Sequence, residues 1–134
     1  MADKVTFQLV SPERELASVQ ADMVVAPGAE GDFGVLPLHA PFISTLRPGV
    51  IAVYDGDTVT KRYFVAGGFA EVNEQGIIVL AEDAQEVTEI DRAAAEHDLE
   101  RAKRHLDRGE GDVEKLEKTV RIEEARVAAA SAAT

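Results

Sequence analysis

The segment that decides how this chain folds reads GAEGDFGVLPLHAP and spans residues 28–41. It holds three glycines, two prolines, two acids and one histidine, within a region otherwise rich in strand-forming residues. Glycine reaches φ values that other residues avoid, whereas proline fixes φ and lacks a backbone N–H donor. We therefore expect a shaped loop here rather than a plain strand, held in place by the strands around it. Loops of this kind often carry binding residues.

The composition of the chain changes near residue 85. All seven aromatic residues lie before position 70 and all five prolines before position 49. Beyond Val87 the sequence consists mostly of Ala, Glu, Arg, Lys, Asp and Leu. A turn-rich β region followed by a helix-forming region is typical of an α+β chain. We predict two domains, a β domain over residues 1–86 and a helical domain over residues 87–134.

Short apolar or alternating segments, separated by turn signals, recur along the first domain. The residues Asp55-Gly56-Asp57 suit a tight hairpin, because Asp-Gly tolerates the positive φ that such hairpins need. The pattern predicts a β-sandwich or flattened barrel of about eight to ten short strands. The segments predicted to form strands are Val5–Leu9, Glu15–Gln20, Met23–Ala26, Phe42–Leu46, Val50–Tyr54, Thr58–Val65, Phe69–Val72 and Ile77–Leu80.

The second domain is predicted to form two helices. Its apolar residues recur every three to four positions, which places them on one face of a helix. Thr88 is expected to be the N-cap of the first helix, with Asp91 supporting it as in a capping box. Gly109 suits the residue after this helix, and Asp112 suits the N-cap of the second. The connection over residues 108–111 is short, so the helices should pack antiparallel as a hairpin.

Charge and composition exclude several classes of function. The chain has 14 basic and 25 acidic residues, a formal net charge of -11, which argues against binding nucleic acid and against insertion into anionic lipid. It contains no cysteine, so disulfides and cysteine-ligated metal sites are excluded. The sequence has no apolar run of about 18 residues, and residues 1–10 do not resemble a signal peptide.

No set of residues predicts catalysis. His39 beside Asp32 is a candidate general base, but no nucleophile motif lies next to them, so a positioning or interface role for His39 is favoured. His97 and His105 are eight positions apart, which is too far for a metal pair on one helix turn. The glycine-rich segments are not followed by helices, unlike phosphate-binding loops. We predict no catalytic residue, no metal site and no cofactor.

Four segments together resemble one protein family. They read FQLVSP (residues 7–12), EGDFGVLP followed by HAP (30–37 and 39–41), RPG (47–49) and FVAGGFAEV (64–72). In this order and at this chain length they resemble the epsilon subunit of bacterial F-type ATP synthases. One departure is Leu38, where the family usually carries glycine. The resemblance implies a β-sandwich followed by two helices, and a non-catalytic rotor subunit of the central stalk at the cytoplasmic face of the bacterial inner membrane.

The resemblance also implies partners. In the family the sandwich binds the gamma subunit and rests on the ring of c subunits. The C-terminal helices reach the alpha and beta catalytic subunits and regulate ATP hydrolysis by moving. An acidic turn on a rigid scaffold can pair with basic groups of a partner loop. The residues carried over are Glu30, Gly31, Asp32 and Phe33 for the c-ring interface, and Leu38, His39 and Pro41 for the gamma interface.

The alternative function is a nucleotide-sensing regulatory module. Some family members bind ATP in the helical hairpin through an Ile-Asp-x-x-Arg-Ala segment. This chain has Ala94 where that motif has arginine, and Glu124 and Ala128 stand in place of a basic pair in the second helix. The loss of three cations that would face phosphate predicts weak ATP binding. The candidate nucleotide-binding residues are Asp91, Arg92 and Arg101.

Overall fold

The computed structural model describes residues 3–37 and 40–132. The chain divides into two compact units between Glu86 and Val87. The first unit is built from β-strands and the second from helices. The predicted fold class, an α+β chain with a β-sandwich followed by a two-helix hairpin, is confirmed.

Ten strands lie within the described residues of the first unit. Eight of them match the predicted segments to within two residues at each end. The strands are β1 Val5–Val10, β2 Glu15–Ala21, β3 Met23–Gly28, β4 Gly31–Val35, β5 Phe42–Leu46, β6 Gly49–Asp55, β7 Thr58–Val65, β8 Gly68–Val72, β9 Gly76–Ala81 and β10 Ala84–Glu86.

The strands form two layers that face each other. One layer has the order β4-β3-β6-β7-β10, and the other has the order β5-β8-β9-β1-β2. The layers are joined where Gly28, at the end of β3, pairs with Leu46 of β5. β1 pairs with β9 in parallel, and the other pairs are antiparallel. Across the interior, β1 and β2 lie against β3 and β6.

The hydrophobic core lies between the two layers and is filled by every second side chain. In β1 the side chains of Val5, Phe7 and Leu9 are buried, and the intervening ones are half-exposed. The ring of Phe7 packs against that of Tyr63, with the centroids 5.8 Å apart. Each large apolar side chain that is fully buried contributes about 1.5–3 kcal/mol to folding. The interior between the layers therefore supplies the main stabilisation of the first unit.

Part of the segment 28–41 departs from the predicted loop, because Gly31–Val35 form strand β4 and pair with β3 through a two-residue turn. The side chains of this strand alternate. Phe33 and Val35 are partly or fully buried, whereas Asp32 and Gly34 are exposed. The glycines hide this period of two in the sequence. Pairing with a neighbouring strand overrides the weak strand propensity of glycine, so the prediction of a loop was wrong here.

Strand β10, Ala84–Glu86, is also absent from the sequence prediction. It pairs antiparallel with β7, where Ala84 lies opposite Val65. Lys61 Nζ lies 2.9 Å from the carboxylate of Glu86 and fixes the end of the strand. A three-residue strand is too short for its periodicity to be read from the sequence.

Asp22, between β2 and β3, ties three segments of the first unit together. Its carboxylate accepts hydrogen bonds from Lys4 Nζ and from the backbone N–H of Gly56, each at 2.6 Å. The bond from Lys4, followed by that from Gly56, favours the charged form and holds the pKa of Asp22 below its ordinary value. The start of β1 and the turn of the β6–β7 hairpin are thereby fixed at the same corner.

The second unit begins with a 3₁₀ turn, Val87–Glu89, and continues with α1, Arg92–Asp107, and α2, Val113–Ala132. The two helices contact each other, and their buried residues are the small side chains Ala95, Ala102 and Ala129. Within residues 3–37 and 40–132, no helix has both the length and the apolar character needed to cross a membrane.

The N-cap of α1 differs from the prediction. Asp91 is the cap, and its side chain accepts a hydrogen bond from the N–H of Ala94 at 3.0 Å. Thr88 lies inside the 3₁₀ turn, four residues before the helix begins at Arg92, so it cannot reach the free N–H groups of the first turn. The assignment of Thr88 was therefore wrong.

The connection between the helices agrees with the prediction. Gly109 follows α1 with φ of +68°, a left-handed conformation that glycine adopts without strain. Asp112 Oδ1 accepts a hydrogen bond from the N–H of Lys115 at 3.3 Å, so Asp112 caps α2. Both predicted end residues are confirmed.

The substitution Gly28→Ala is expected to destabilise the first unit by about 1–3 kcal/mol, the usual cost of overpacking. An added Cβ would lie 2.5 Å from the carbonyl oxygen of Gly31 and 2.9 Å from the ring of Phe33. Gly34→Ala is the matched control, because its nearest neighbour would be Met23 Sδ at 3.6 Å. The control should stay within about 1 kcal/mol of the original chain. Urea unfolding measures both, and equal stabilities would contradict the close approach at Gly28.

Candidate functional site

The described part of the chain offers no interior site for chemistry. Within residues 3–37 and 40–132, no three His, Asp or Glu side chains converge where a metal ion could bind, and no buried side-chain nitrogen or oxygen lacks a hydrogen-bond partner. His97 and His105 are exposed on α1. Perturbed polar groups held away from water usually mark a catalytic centre. The surface of the molecule is therefore the place to look for function.

The first surface feature is the tip of the β3–β4 hairpin, residues 28–33, called the hairpin tip below. Its turn, Ala29-Glu30, is tied to the neighbouring β5–β6 connection. The N–H of Ala29 donates to the carbonyl of Thr45 at 2.9 Å, and the N–H of Arg47 donates to the carbonyl of Pro27 at 3.0 Å. These bonds tie the β3 side of the hairpin tip to the segment Thr45–Arg47.

Arg47 also braces the hairpin tip with its side chain. Nη1 donates to the carbonyl of Gly28 at 2.6 Å, and Nη2 donates to Asp32 Oδ1 at 2.5 Å. A planar guanidinium can serve two acceptors at once in a fixed geometry. Asp32 remains 61% exposed. The acid carried over as a c-ring contact is thus paired inside the chain through one of its two oxygens.

The other residues of the hairpin tip divide into exposed and packed ones. Glu30 and Gly31 are exposed, whereas Phe33 is partly buried. The ring of Phe33 meets that of Phe42 edge to face, with centroids 5.1 Å apart. A cleft of about 460 Å³ lies between the hairpin tip and β5. The structure therefore brings all four predicted c-ring residues together at one place, with Phe33 serving the packing of the tip.

Of the three residues carried over as the gamma interface, the structure describes one. Pro41 is exposed and immediately precedes β5. Leu38 and His39 lie outside the described residues.

A second surface feature is an apolar patch on the outer face of the layer that contains β5, β8, β9 and β1. Phe69 lies opposite Leu80, and Leu80 lies opposite Val10, so these three side chains form a row across neighbouring strands. Ile43 of β5 lies on the same face, opposite Glu71 and diagonal to Phe69. Ile43, Phe69 and Leu80 are exposed by 72%, 56% and 56%. Val10, Ile43, Phe69 and Leu80 are called the outer-face patch below.

Part of the outer-face patch borders a shallow apolar depression of about 300 Å³. Val10, Leu80 and Phe69 line it, together with Pro12. Monomeric domains seldom expose several large apolar side chains side by side unless the surface binds a partner. The outer-face patch therefore has the character of an interface.

Sequence reasoning missed the outer-face patch, although a signal for it was present. Successive side chains of a strand point to opposite faces of the sheet. Phe69 stands between Gly68 and buried Ala70, and Leu80 stands between buried Val79 and Ala81. A reading of both strands at a period of two would have placed Phe69 and Leu80 on the face away from the core.

The candidate nucleotide-binding residues do not form a site. Asp91 serves as the N-cap of α1, Arg92 Nε lies 2.9 Å from Glu96, and Arg101 Nη2 lies 3.2 Å from Asp98. Arg92 and Arg101 are nine positions apart on α1, which places them on opposite faces and about 13 Å apart along the axis. The structure therefore does not bring these two cations together at one point.

A braced acidic tip and an exposed apolar patch on one β unit are typical of a class of proteins that bind other proteins. Comparison with known proteins agrees with this class. Residues 4–87 match the family described as the beta-sandwich domain of the ATP synthase delta/epsilon chain. The chain belongs to this family, and the resemblance read from its motifs is confirmed. It is a non-catalytic subunit of an ATP synthase.

Similarity to individual relatives extends beyond the β unit. The chain is 56% identical over 115 residues to the ATP synthase epsilon chain of Paramagnetospirillum magneticum, which covers 86% of each chain. It is 44% identical over 129 residues to that of Parvibaculum lavamentivorans, which covers 94% of this chain and 98% of the relative. In fold it resembles a chain of the Euglena gracilis mitochondrial ATP synthase, with a TM-score of 0.80 at 24% identity over 96% of this chain and 82% of that one.

ATP is expected to bind this chain with a Kd above about 1 mM, equivalent to less than about 4 kcal/mol of binding free energy. The reason is that Arg92 and Arg101 are paired with neighbouring acids and face apart, while Ala94 supplies no cation. Calorimetric titration of the purified chain measures the affinity. Ala94→Arg is the variant for comparison, because it restores the arginine of the ATP-binding motif. A micromolar Kd for the unaltered chain would contradict this assignment.

Proposed function

We propose that this chain is a central-stalk rotor subunit that couples the catalytic head of an ATP synthase to its membrane ring. The observation that carries the proposal is that a single β unit bears both an apolar patch and an acidic tip. Strand β5 contributes Ile43 to the outer-face patch and holds the hairpin tip through the carbonyl of Thr45. Two partners that bind these surfaces would therefore be linked through a few residues of rigid sheet.

The outer-face patch is the proposed binding surface for the gamma subunit. Its three large side chains are exposed by more than half, and burying apolar surface of this kind drives association. Pro41, carried over as a gamma contact, is exposed and immediately precedes the strand that bears Ile43. Aromatic anchors commonly dominate the affinity of such interfaces, so Phe69 is the residue that we expect to matter most.

The hairpin tip is the proposed contact with the polar loops of the c-ring. It presents exposed Glu30, Gly31 and Asp32 on a turn that other strands hold in place. Carboxylates on a rigid turn favour a cationic partner loop and help to orient its approach. The chain shares its fold with a chain of the Euglena ATP synthase assembly of F1 and the c-ring, and this likeness supports the proposed contact.

The chain would thus work at the cytoplasmic face of the bacterial inner membrane, attached through its partners. Its formal charge of -11 opposes direct insertion into anionic lipid. The bacterial origin of the two relatives supports this location.

The helical unit is the proposed regulatory part, acting on ATP hydrolysis through contacts with the alpha and beta subunits. Support comes from the buried residues of α1 and α2, which are the alanines 95, 102 and 129. Alanine buries little area, so its burial adds little free energy. A unit held together this weakly can change partners when a competing surface is offered.

The substitution Phe69→Ser is expected to weaken binding to purified gamma by about tenfold or more, because it removes a large anchor from the outer-face patch. The matched control is Val19→Ser. Val19 is also an exposed apolar residue, 41% exposed on β2, but it pairs with core residue Phe7 and so lies on the opposite face of that layer. Isothermal titration measures both variants.

The thermal midpoints of the two variants report whether each remains folded. Equal affinities for gamma in the two folded variants would remove the outer-face patch from the proposed function.

A chain that ends at Glu86 tests the regulatory role. Circular dichroism should first show that residues 1–86 unfold in one cooperative thermal transition. Heads assembled with this shorter chain should hydrolyse ATP about fivefold faster or more, since a regulatory coupling is typically of that size. Unchanged hydrolysis in heads that contain the shorter chain would leave the helices without the proposed role.

A further inference from the structure

The two acids of the hairpin tip are in different states. Asp32 is engaged by Arg47, whose guanidinium also holds the carbonyl of Gly28. Glu30 is exposed and makes no hydrogen bond or ion pair within the described parts of the chain. They are two positions apart, and within the described residues only Glu30 is without a cation of the chain itself.

The backbone of Arg47, as well as its side chain, is hydrogen-bonded to the hairpin. Its own N–H donates to the carbonyl of Pro27 at 3.0 Å, so its backbone follows the end of β3. The next carbonyl along, that of Gly28, accepts from Nη1, and the N–H after it, that of Ala29, donates to Thr45. Three consecutive residues of the hairpin are thus bonded to the segment Thr45–Arg47, and the turn that carries Glu30 has little freedom.

Electrostatics favours Glu30 over Asp32 as the acid that binds a cation of the partner. A cation from a partner that approaches Asp32 meets the positive charge of Arg47, which repels it and already occupies one carboxylate oxygen. A cation that approaches Glu30 displaces only water. Because exposed ion pairs are individually weak, this difference is enough to decide which acid a partner uses.

We propose that Arg47 is a positioning residue that keeps Asp32 in an ion pair within the chain. Glu30 is then the acid that pairs with a cationic group of the partner. This inference rests on the proposed contact between the hairpin tip and the c-ring, and it assigns different roles to the two acids of that contact. Arg47 does not touch the partner in this scheme. It acts through the position of the turn and through the charge of Asp32.

Loss of Arg47 has two consequences. The turn loses its side-chain brace at Gly28, so Glu30 is presented in more than one orientation. Asp32 loses its internal counter-ion and becomes a second acid open to the partner. Arg47→Lys keeps the charge but not the fork, and a lysine can serve Asp32 as a point charge while giving up the carbonyl of Gly28.

The test uses synthase heads assembled with variant chains and measures their apparent Kd for membranes stripped of heads, over a range of salt concentrations. Glu30→Gln should raise the Kd about two- to fivefold and reduce its dependence on salt, as expected for the loss of one exposed ion pair. Asp32→Asn should leave the salt dependence unchanged. Arg47→Gln should weaken binding, and Arg47→Lys should restore part of it.

Non-additivity separates positioning from a purely structural role. In chains that already carry Glu30→Gln, the further change Arg47→Gln should not raise the Kd, because the side chain that Arg47 positions is no longer charged and the released Asp32 can only favour a cationic partner. All the substituted positions are exposed, and the thermal midpoint of each purified chain checks its fold.

Two results would overturn the inference while leaving the ring contact in place. They are a larger effect of Asp32→Asn than of Glu30→Gln, and additive effects of Glu30→Gln and Arg47→Gln. A chain that carries both Glu30→Lys and Asp32→Lys tests the ring contact itself. If this double reversal binds membranes with an unchanged Kd, the ring contact of the proposed function fails, and the inference fails with it.

Discussion

The first unit depends on the place where β3 passes from one layer of the sandwich to the other. Gly28 pairs with Leu46, and this pair joins the two layers along the sheet. The join needs close approach, since the backbone at Gly31 and the ring of Phe33 leave no room for a side chain at position 28. The guanidinium of Arg47 closes the same corner by holding the carbonyl of Gly28. Close packing and a cation thus secure one short stretch of backbone.

The functional surfaces follow from this corner. The hairpin tip projects directly beyond it, and the outer-face patch begins on the strand that it joins. Neither surface relies on a long flexible loop within the described residues, so the geometry of each is set by the sheet. Such stiffness would serve the proposed coupling role, because a compliant link would store the applied work as deformation.

Most strands could be predicted from the sequence, because their signals are local. Alternation in β1, the Asp-Gly turn before β7 and the glycine after α1 each depend on a few adjacent residues. Strand β4 was obscured because its glycines lower strand propensity, although Phe33 and Val35 keep the period of two. Thr88 and Asp91 both suit a cap, and only the 3₁₀ turn of the structure decides between them.

The candidate site was less accessible to sequence reasoning than the fold. Its acids could be named from a resemblance, but their different states could not. Arg47 reaches Gly28 and Asp32 from 19 and 15 positions away, and no local pattern records such a contact. The outer-face patch was hidden because large apolar residues in a strand are usually taken as core. Their exposure depends on which face of the layer is covered, and that is a property of the whole sandwich.

The parallel pairing of β1 with β9 sets the order in which the chain can complete its fold during synthesis. Thr6 of β1 pairs with Gly76, which emerges from the ribosome 70 residues later. At about 5–20 residues per second, that interval lasts roughly 4 to 14 s. The β1–β2 hairpin can form at once and protect one edge of β1, but the other edge stays open, with Phe7 and Leu9 not yet covered. An open edge invites pairing with other chains, so the nascent protein is most exposed to misassembly just before β9 arrives.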